Sequence, residues 1–345
     1  MTVRKSDYES YDYREFWRED KRAYEDTSER IALRKLLGDI REGNKLFLDL
    51  GCGYGRLFDE YKSFRNILLV DYSVRNLRNA KQRIEEMLKS FQEKPSSSSP
   101  SPSPSPFSSS SIFFLSADAT NLPLKPSCAD VVLTVRVVHH LDNLDKYFDE
   151  VKRVLKDGGI FILEFANKRN LKNILRFFMR RMDGSPFSLF PLKVGETILN
   201  YHPDYVIGLL TSKGFGIDKR ISVSNFRLEF LKKYLNLKTL LLFENWFQRL
   251  FSWTLLGPSI FLKCTLSKDF SEGCIKGRTS PKKALFSTEG KGFRRGLSIT
   301  FEDILEDILQ CPYCKKDEFF FRKDEIVCNG CKKSFLARNG ILVFK

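Results

Sequence analysis

The segment Asp49-Leu-Gly51-Cys-Gly53-Tyr-Gly55 constrains the fold of this chain more than any other. Three glycines at alternate positions permit a tight turn and let a ligand approach the backbone closely. The apolar run Lys45-Leu-Phe-Leu-Asp49 precedes them and reads as a short buried strand. A helical stretch is expected to follow, with free N–H groups at its start that suit a polar ligand. Then come a second strand-like run, Ile67-Leu-Leu-Val-Asp71, and an amphipathic helix over about Val74 to Phe91. Strand, helix, strand, helix is the rhythm of a parallel α/β sheet, whose ligands bind at the carboxyl ends of the strands. A merely tight strand-to-helix turn is the plain alternative reading of the glycines.

The rhythm resumes after Pro95 to Ser111, which holds only Ser, Pro and one Phe. Such a segment cannot form a packed core and is expected to be an extended, exposed insertion. Ile112–Ser116, Asp130–Thr134, Ile160–Ala166, Gly214–Val223 and Ser259–Leu266 complete seven strand candidates. Leu144 to Leu155 reads as an amphipathic helix that Lys156-Asp-Gly-Gly159 stops. The expected organisation is a helical extension over 1–44, a main α/β domain over 45–266 with a helical insertion at 226–256, a linker over 267–300, and a small module over 301–345.

The 345 residues carry 58 Lys and Arg against 43 Asp and Glu, a formal charge of +15. That balance favours anionic partners without choosing among nucleic acid, lipid and phosphate, and a solvated basic surface also satisfies it. Hydrophobic residues make up 42%, which is ordinary globular composition. The start MTVRKSDYES has no apolar signal region, and no stretch of about 18 uncharged apolar residues occurs, so a cytoplasmic chain is expected.

Asp71 closes the second strand, where a ribose-binding carboxylate stands in mononucleotide-binding halves. The dinucleotide fingerprint would need Gly at position 56, and Arg56 stands there instead. The spacing acidic-x-G-x-G-x-G resembles the first motif of the S-adenosylmethionine-dependent methyltransferases of Rossmann-like fold. Ser116-Ala-Asp118-Ala-Thr-Asn-Leu-Pro123 is similar to that family's segment after the third strand. Asp130 to Leu141 looks like its fourth strand and following loop. Val154-Leu-Lys-Asp-Gly-Gly-Ile-Phe161 resembles its Leu-Lys-Pro-Gly-Gly turn, with Asp157 in place of Pro. The likeness is strongest over Lys45 to Ala166 and closest to the quinone-biosynthesis branch. It implies a seven-stranded doubly wound sheet. It also implies that Asp49, Gly51, Gly53 and Gly55 hold the amino-acid end of S-adenosylmethionine, and that Asp71 holds its ribose. Asp118 would hold adenine, Ala119 would offer a backbone contact, and Arg136 would line the methionine side.

The sulfonium methyl is already electrophilic, so such an enzyme mainly aligns the nucleophile and excludes water. His139 and His140 follow the fourth strand and are the candidate catalytic pair, though packing or capping explains them equally. Asn167-Lys-Arg-Asn170 after the fifth strand is a candidate substrate contact, and Tyr201-His202 a weaker one. After the fourth strand stands Val135-Arg-Val-Val rather than the Asn/Asp-Pro-Pro-aromatic tetrapeptide of amino-methylating enzymes. No cysteine follows strands four or five, which argues against the covalent thiolate route to 5-methylcytosine. Methylation at oxygen or carbon of a small or lipid-like molecule is therefore the favoured expectation.

The insertion interleaves Phe226, Phe230, Tyr234, Phe243, Trp246, Phe247, Phe251 and Trp253 with Lys and Arg. Such a stripe can rest on an anionic membrane as a peripheral contact, or cover a hydrophobic substrate. Packing over the sheet as ordinary core is the reading favoured here.

Cys311-Pro-Tyr-Cys314 and Cys328-Asn-Gly-Cys331 stand thirteen residues apart. Two such knuckles joined by one hairpin make a closed tetrahedral four-thiolate zinc site, which is structural because no position stays open. The module resembles the small zinc-ribbon protein that activates RNA and protein methyltransferases, down to the final Asn339-Gly-Ile-Leu-Val343. That likeness implies a ribbon fused in cis and raises an RNA or protein acceptor as the alternative function. A non-catalytic cofactor-binding interaction protein is a further alternative, which the intact Asp49, Asp71 and Asp118 disfavour.

Overall fold

The computed structural model describes residues 12–17, 19–41, 43, 45–92, 111–195, 198–267 and 301–345. The Ser/Pro insertion and the expected linker fall outside these residues, apart from their outermost positions.

In chain order the elements are α1 (Glu19–Leu37), β1 (Leu46–Leu50), β2 (Asn66–Asp71), α2 (Val74–Gln92), β3 (Ser111–Ala117) and β4 (Ala129–Thr134). There follow α3 (Leu144–Val154), β5 (Leu155–Ala166), α4 (Leu171–Phe178), β6 (Leu192–Val194) and β7 (Ile198–Asn200). Next are α5 (Pro203–Ser212), β8 (Phe215–Val223), α6 (Glu229–Tyr234), α7 (Leu237–Leu250) and β9 (Ser259–Leu266). The C-terminal module supplies α8 (Phe301–Ile308), β10 (Phe319–Phe321), β11 (Glu325–Cys328), β12 (Ser334–Arg338) and β13 (Ile341–Phe344).

The seven expected strands lie side by side in the order β3-β2-β1-β4-β5-β9-β8. Pairing is parallel from β3 to β5 and antiparallel at β9 and β8. Strand alternation sends Leu48, Leu50, Leu68 and Val70 into one apolar cluster and Phe47, Ile67 and Leu69 into a second. Both faces are thus covered, as a doubly wound sheet requires. The order reverses at β1, which lies between β2 and β4, so the ligand crevice opens at the carboxyl ends of these strands.

Three local expectations are corrected. The stretch between β1 and β2 forms a series of tight turns around one 3-10 turn, Phe58–Glu60, rather than a helix. Backbone bonds run Phe58 to Gly55, Tyr61 to Phe58 and Phe64 to Tyr61. This three-residue spacing buries Phe58, Tyr61 and Phe64 together beside the glycine loop. The Lys156-Asp-Gly-Gly159 segment is drawn into the start of β5, where a register shift between Ala129 and Val131 and a positive φ of 72° at Gly158 absorb the turn.

The third correction concerns the aromatic insertion, of whose rings only Phe226 and Phe247 are half-buried, the other six being exposed rather than core. On α7 the buried residues are Leu240, Glu244 and Gln248, while Phe243 and Trp246 face outward. Glu244 decides this orientation. Its carboxylate accepts from the Tyr24 hydroxyl (2.7 Å), the Ser224 and Asn225 amides (2.8 and 3.0 Å), and the Asn225 and Gln248 side chains (3.1 and 2.9 Å). A carboxylate so fully bonded is stable when buried, and rolling the helix would leave the buried Tyr24 hydroxyl and Ser224 amide without their acceptor.

The C-terminal module is not set apart from the main domain. β13 pairs in parallel with β3, Ile341 opposite Phe114 through Phe344 opposite Ala117, and β12, β11 and β10 continue the sheet to eleven strands. A second seam joins α8 to the loop after β3: the Lys125 amide donates to the Ile308 carbonyl at 2.8 Å and the Gln310 amide to the Pro123 carbonyl at 3.1 Å. Leu305, Leu309, Leu342 and Phe344 lie in the same apolar cluster as β3 and β4. Removing a buried aromatic costs about 3–5 kcal/mol. Phe344→Ala is therefore expected to lower the melting temperature of the whole chain by roughly 5–10 °C in one transition. Calorimetry showing a separate, early transition with an unshifted main peak would contradict the shared core.

Candidate cofactor site and metal centre

The glycine loop is tied down from below. The Gly51 and Cys52 amides both donate to the Val70 carbonyl (2.7 and 3.1 Å), locking the turn to β2. Gly51 has φ 79°, and a Cβ there would stand 2.1 Å from Cγ2 of Val137, so the position demands glycine. The Asp71 carboxylate accepts from the Gly53 amide (2.9 Å), the Ser73 amide (2.8 Å) and the Asn76 side chain (3.2 Å). One carboxylate thus sets the loop and the start of α2, and has acceptor capacity left for a hydroxyl. Burial pushes its pKa up, against these donors.

Asp49, at the carboxyl end of β1, is buried and accepts from the Tyr61 hydroxyl. Burial raises its pKa to about 7, against the Tyr61 hydrogen bond. Asp118, just past β3, accepts from the Thr120 amide and hydroxyl, both at 2.8 Å. Ala119 packs on the core beside it. Arg136 takes a left-handed φ of 60° after β4, and its amide donates to Glu164 at 2.8 Å.

Two hollows lie along this edge. The smaller is lined by Asp49, Gly51, Cys52, Arg56, Val135 and Arg136, with Tyr13 over it. The larger, about 230 Å³, is lined by Tyr72, Asp118 and Asn121 on the main domain and by Pro312, Tyr313, Phe344 and Lys345 from the C-terminal module. Asp49 and Arg136 thus meet at one hollow and Asp118 borders the other, with Asp71 beside the loop between them. The ammonium of Lys345 lies 4.3 Å from the Tyr72 ring centre, and the Lys315 ammonium bonds the Asn121 side chain at 2.9 Å.

Sequence reasoning missed the buried carboxylate that holds the two arginines of the smaller hollow. Glu29 of α1 is fully buried and accepts from Arg56 at 2.6 Å and from the Arg136 Nε at 2.8 Å. Burial alone would raise its pKa, but Arg136 and Arg56 hold it below the usual carboxylate value. Trp17 packs under the Arg56 and Arg136 guanidiniums at 3.7 and 4.8 Å. The only sequence signal was Arg56 standing where another fingerprint wants glycine.

The histidine pair borders neither hollow. His139 is buried in a 3-10 turn, its ring 4.1 Å from that of His140, and its Nδ1 has no hydrogen-bond partner. Burial, aided by His140 and Arg136, holds it well below the ordinary histidine pKa, so it is neutral near pH 7. The Asn167–Asn170 side chains serve the scaffold. Asn167 donates to the Leu255 and Gly257 carbonyls, both at 2.8 Å, and Lys168 donates to the Phe190 carbonyl at 2.6 Å. Tyr201 donates to the Leu141 carbonyl at 2.8 Å, and His202 caps α5 by accepting from the Asp204 amide at 3.2 Å.

The four cysteines converge, with all sulfurs within 4.8 Å of one another. The Cys311–Cys331 and Cys314–Cys328 sulfurs are 3.7 and 3.4 Å apart. Disulfide bonds would need about 2.05 Å. Sulfurs around a tetrahedral zinc at about 2.3 Å stand roughly 3.8 Å apart, so the donor set and its spacing fit zinc.

Residues 48–163 match the methyltransferase domain family. The malonyl-[acyl-carrier protein] O-methyltransferase of Nitrosospira multiformis is 27% identical over 142 residues, 41% of this chain and 44% of that protein. The chain thus spans less than half the length of that relative. An uncharacterized protein of Methanocaldococcus jannaschii is 29% identical over 190 residues, 51% of this chain and 71% of that one. A crystal structure described as a putative S-adenosylmethionine-dependent methyltransferase from Listeria monocytogenes aligns with TM-score 0.45 at 20% identity, over 71% of this chain and 100% of that one. The chain carries a methyltransferase domain and has the Rossmann-like fold of the S-adenosylmethionine-dependent methyltransferases. That family implies S-adenosylmethionine as the methyl donor. Among the described residues, no helix is long and apolar enough to cross a membrane.

Purified without chelator, the protein is expected to contain one equivalent of zinc, and Cys311→Ser or Cys328→Ser to lose it. Elemental analysis returning less than half an equivalent in the unaltered protein would exclude the site.

Proposed function

We propose that the chain transfers a methyl group from S-adenosylmethionine to oxygen or carbon of a small or lipid-like molecule. The observation that carries this is the line of Asp49, Asp71 and Asp118 along the carboxyl ends of β1, β2 and β3, with the glycine loop between the first two. In this reading Asp49 and the loop hold the amino-acid end, and Asp71 holds the ribose. Asp118, with Ala119, holds adenine, while Arg136 lines the methionine side. The donor brings an electrophilic methyl; the protein binds it, orients the acceptor and excludes water. Arg56 and the half-buried Arg136, which line the smaller hollow and are backed by the buried Trp17, serve that exclusion. An oxygen nucleophile must lose a proton, and His139 and His140, in the turn after β4, are the candidates to take it. The name of the Nitrosospira relative supports an oxygen acceptor.

A second reading, an RNA or protein acceptor with the ribbon acting in cis, is favoured by one feature. Pro312, Tyr313 and Lys345 line the hollow at Asp118, so the ribbon closes the adenine end of the proposed site. Transfer of labelled methyl into fractionated cell extract separates the readings by whether label enters lipid and small molecules or RNA and protein. Without label in any fraction, methyl transfer itself fails. The proposed setting is the cytoplasm.

Two outcomes follow from the site. Asp71→Asn should weaken S-adenosylhomocysteine binding about ten- to a hundredfold, the worth of a hydrogen bond to a charged group, with the fold retained. Calorimetric titration showing unchanged affinity would remove Asp71 from the site. Asp49 titrates near pH 7 in the free protein, and the ligand's ammonium favours its ionised form. Bound-state pKa is then lower than free-state pKa, so affinity is full above pH 7 and falls as pH drops below it. The slope approaches about tenfold per pH unit, one proton per ligand, and Asp49→Asn should flatten it. A flat profile in the unaltered protein would contradict Asp49 as the ammonium partner.

A further inference from the structure

We infer that the α4 and α6–α7 segments form a docking face for an anionic lipid bilayer. The face rests on an inversion of ordinary packing. On α7 the buried side carries Glu244 and Gln248, and the outer side carries Leu242, Phe243 and Trp246. Trp246 is 58% exposed, and Trp253, in the turn after α7, is 76% exposed. Glu244, with five hydrogen bonds inside, fixes which side faces out.

A second apolar patch adjoins it. The Leu171 amide, at the start of α4, donates to the Leu256 carbonyl at 2.9 Å, so α4 begins beside the turn that carries Trp253. From there Leu175, Phe178 (71% exposed), Met179 and Phe190 (81% exposed) also face outward. Phe187 packs against Phe177 and Phe178, with ring centres 6.0 and 6.4 Å apart. Scattered exposed apolar residues are normal, but adjoining clusters of this kind mark an interaction surface.

Charge identifies the occupant. Lys172, Arg176, Arg180 and Arg181 are exposed on and after α4, and Lys233, Lys238 and Arg249 on the α6–α7 side. Against these seven exposed cations stand two exposed acids, Asp183 and Glu229, and Glu244 is buried. Aromatic and aliphatic side chains interleaved with exposed cations match the headgroup and acyl boundary of an anionic bilayer. There the rings enter the interface and the cations meet lipid phosphate. Exposed acids distributed among the cations would be expected on a face that merely stays in water.

The inference does not depend on the identity of the methyl acceptor. Its test uses the full chain and vesicles of phosphatidylcholine with or without about one-third phosphatidylserine. Of the chain's three tryptophans, Trp17 is buried while Trp246 and Trp253 lie on the proposed face, so intrinsic fluorescence reports the face directly. Anionic vesicles should cosediment the protein and shift its emission to the blue, with much weaker binding to pure phosphatidylcholine. Binding should also weaken as salt screens the cations. Trp246→Ala/Trp253→Ala should reduce cosedimentation at least tenfold, and Arg180→Glu/Arg181→Glu should do the same while keeping both fluorophores. Each variant's S-adenosylhomocysteine affinity, measured in parallel, establishes that the fold and cofactor site persist, and keeps failure of this face distinct from failure of the proposed methyl-transfer reading. No binding to anionic vesicles would overturn the proposal. So would a stable dimer in sedimentation that the tryptophan variants dissociate, since a second copy would then cover the face.

Discussion

The buried Glu29 carboxylate joins three parts of the molecule that the chain order keeps far apart. Through Arg56 it holds the end of the glycine loop, and through Arg136 the turn after β4, while its own backbone belongs to α1. Asp26 also pairs with Arg56, so two carboxylates meet two guanidiniums and the charge balances, which makes burial tolerable. Loss of one partner would leave a buried charge, a cost of about 3–5 kcal/mol in such settings. The N-terminal helix is thus structurally part of the site. The 3-10 turn that precedes it, Tyr13–Trp17, places Trp17 under both guanidiniums and Tyr13 over Gly53, whose added Cβ would meet that ring at 3.2 Å.

The sequence made the centre of the sheet legible because its signals are local. Gly51 and Asp71 are specified by backbone conformation and strand position, and both stand where their spacing placed them. The cysteine knuckles were readable for the same reason, since four thiolates at that spacing have few uses. The turns between β1 and β2 were misread because Phe58, Tyr61 and Phe64 follow a three-residue spacing that a helix also satisfies at this length. Glu29 was not legible, because its partners lie 27 and 107 positions away.

Helix α7 marks a different limit. Its aromatic content argued for burial, and a statistical preference for aromatic core would place Trp246 inside. One residue reversed the outcome: Glu244 has inward partners on α1 and after β8, and the ring-bearing positions then have to face out. Amphipathic patterning gives the two faces of a helix, but which face is inside depends on partners elsewhere in the chain.

The seam between β3 and β13 has a consequence for biosynthesis. β3 is made early by the ribosome, yet its outer edge is covered only when β13 arrives, after the rest of the sheet has been translated. Until then an apolar parallel strand presents unpaired amides and carbonyls to the nascent chain's surroundings, a template for wrong pairing. β13 belongs to the same small module as the cysteine knuckles, so a metal bound there would favour the folded module that supplies this cover. Metal supply then bears on protein quality, since a chain whose ribbon stayed unfolded would keep the β3 edge bare and lack one wall of the hollow at Asp118.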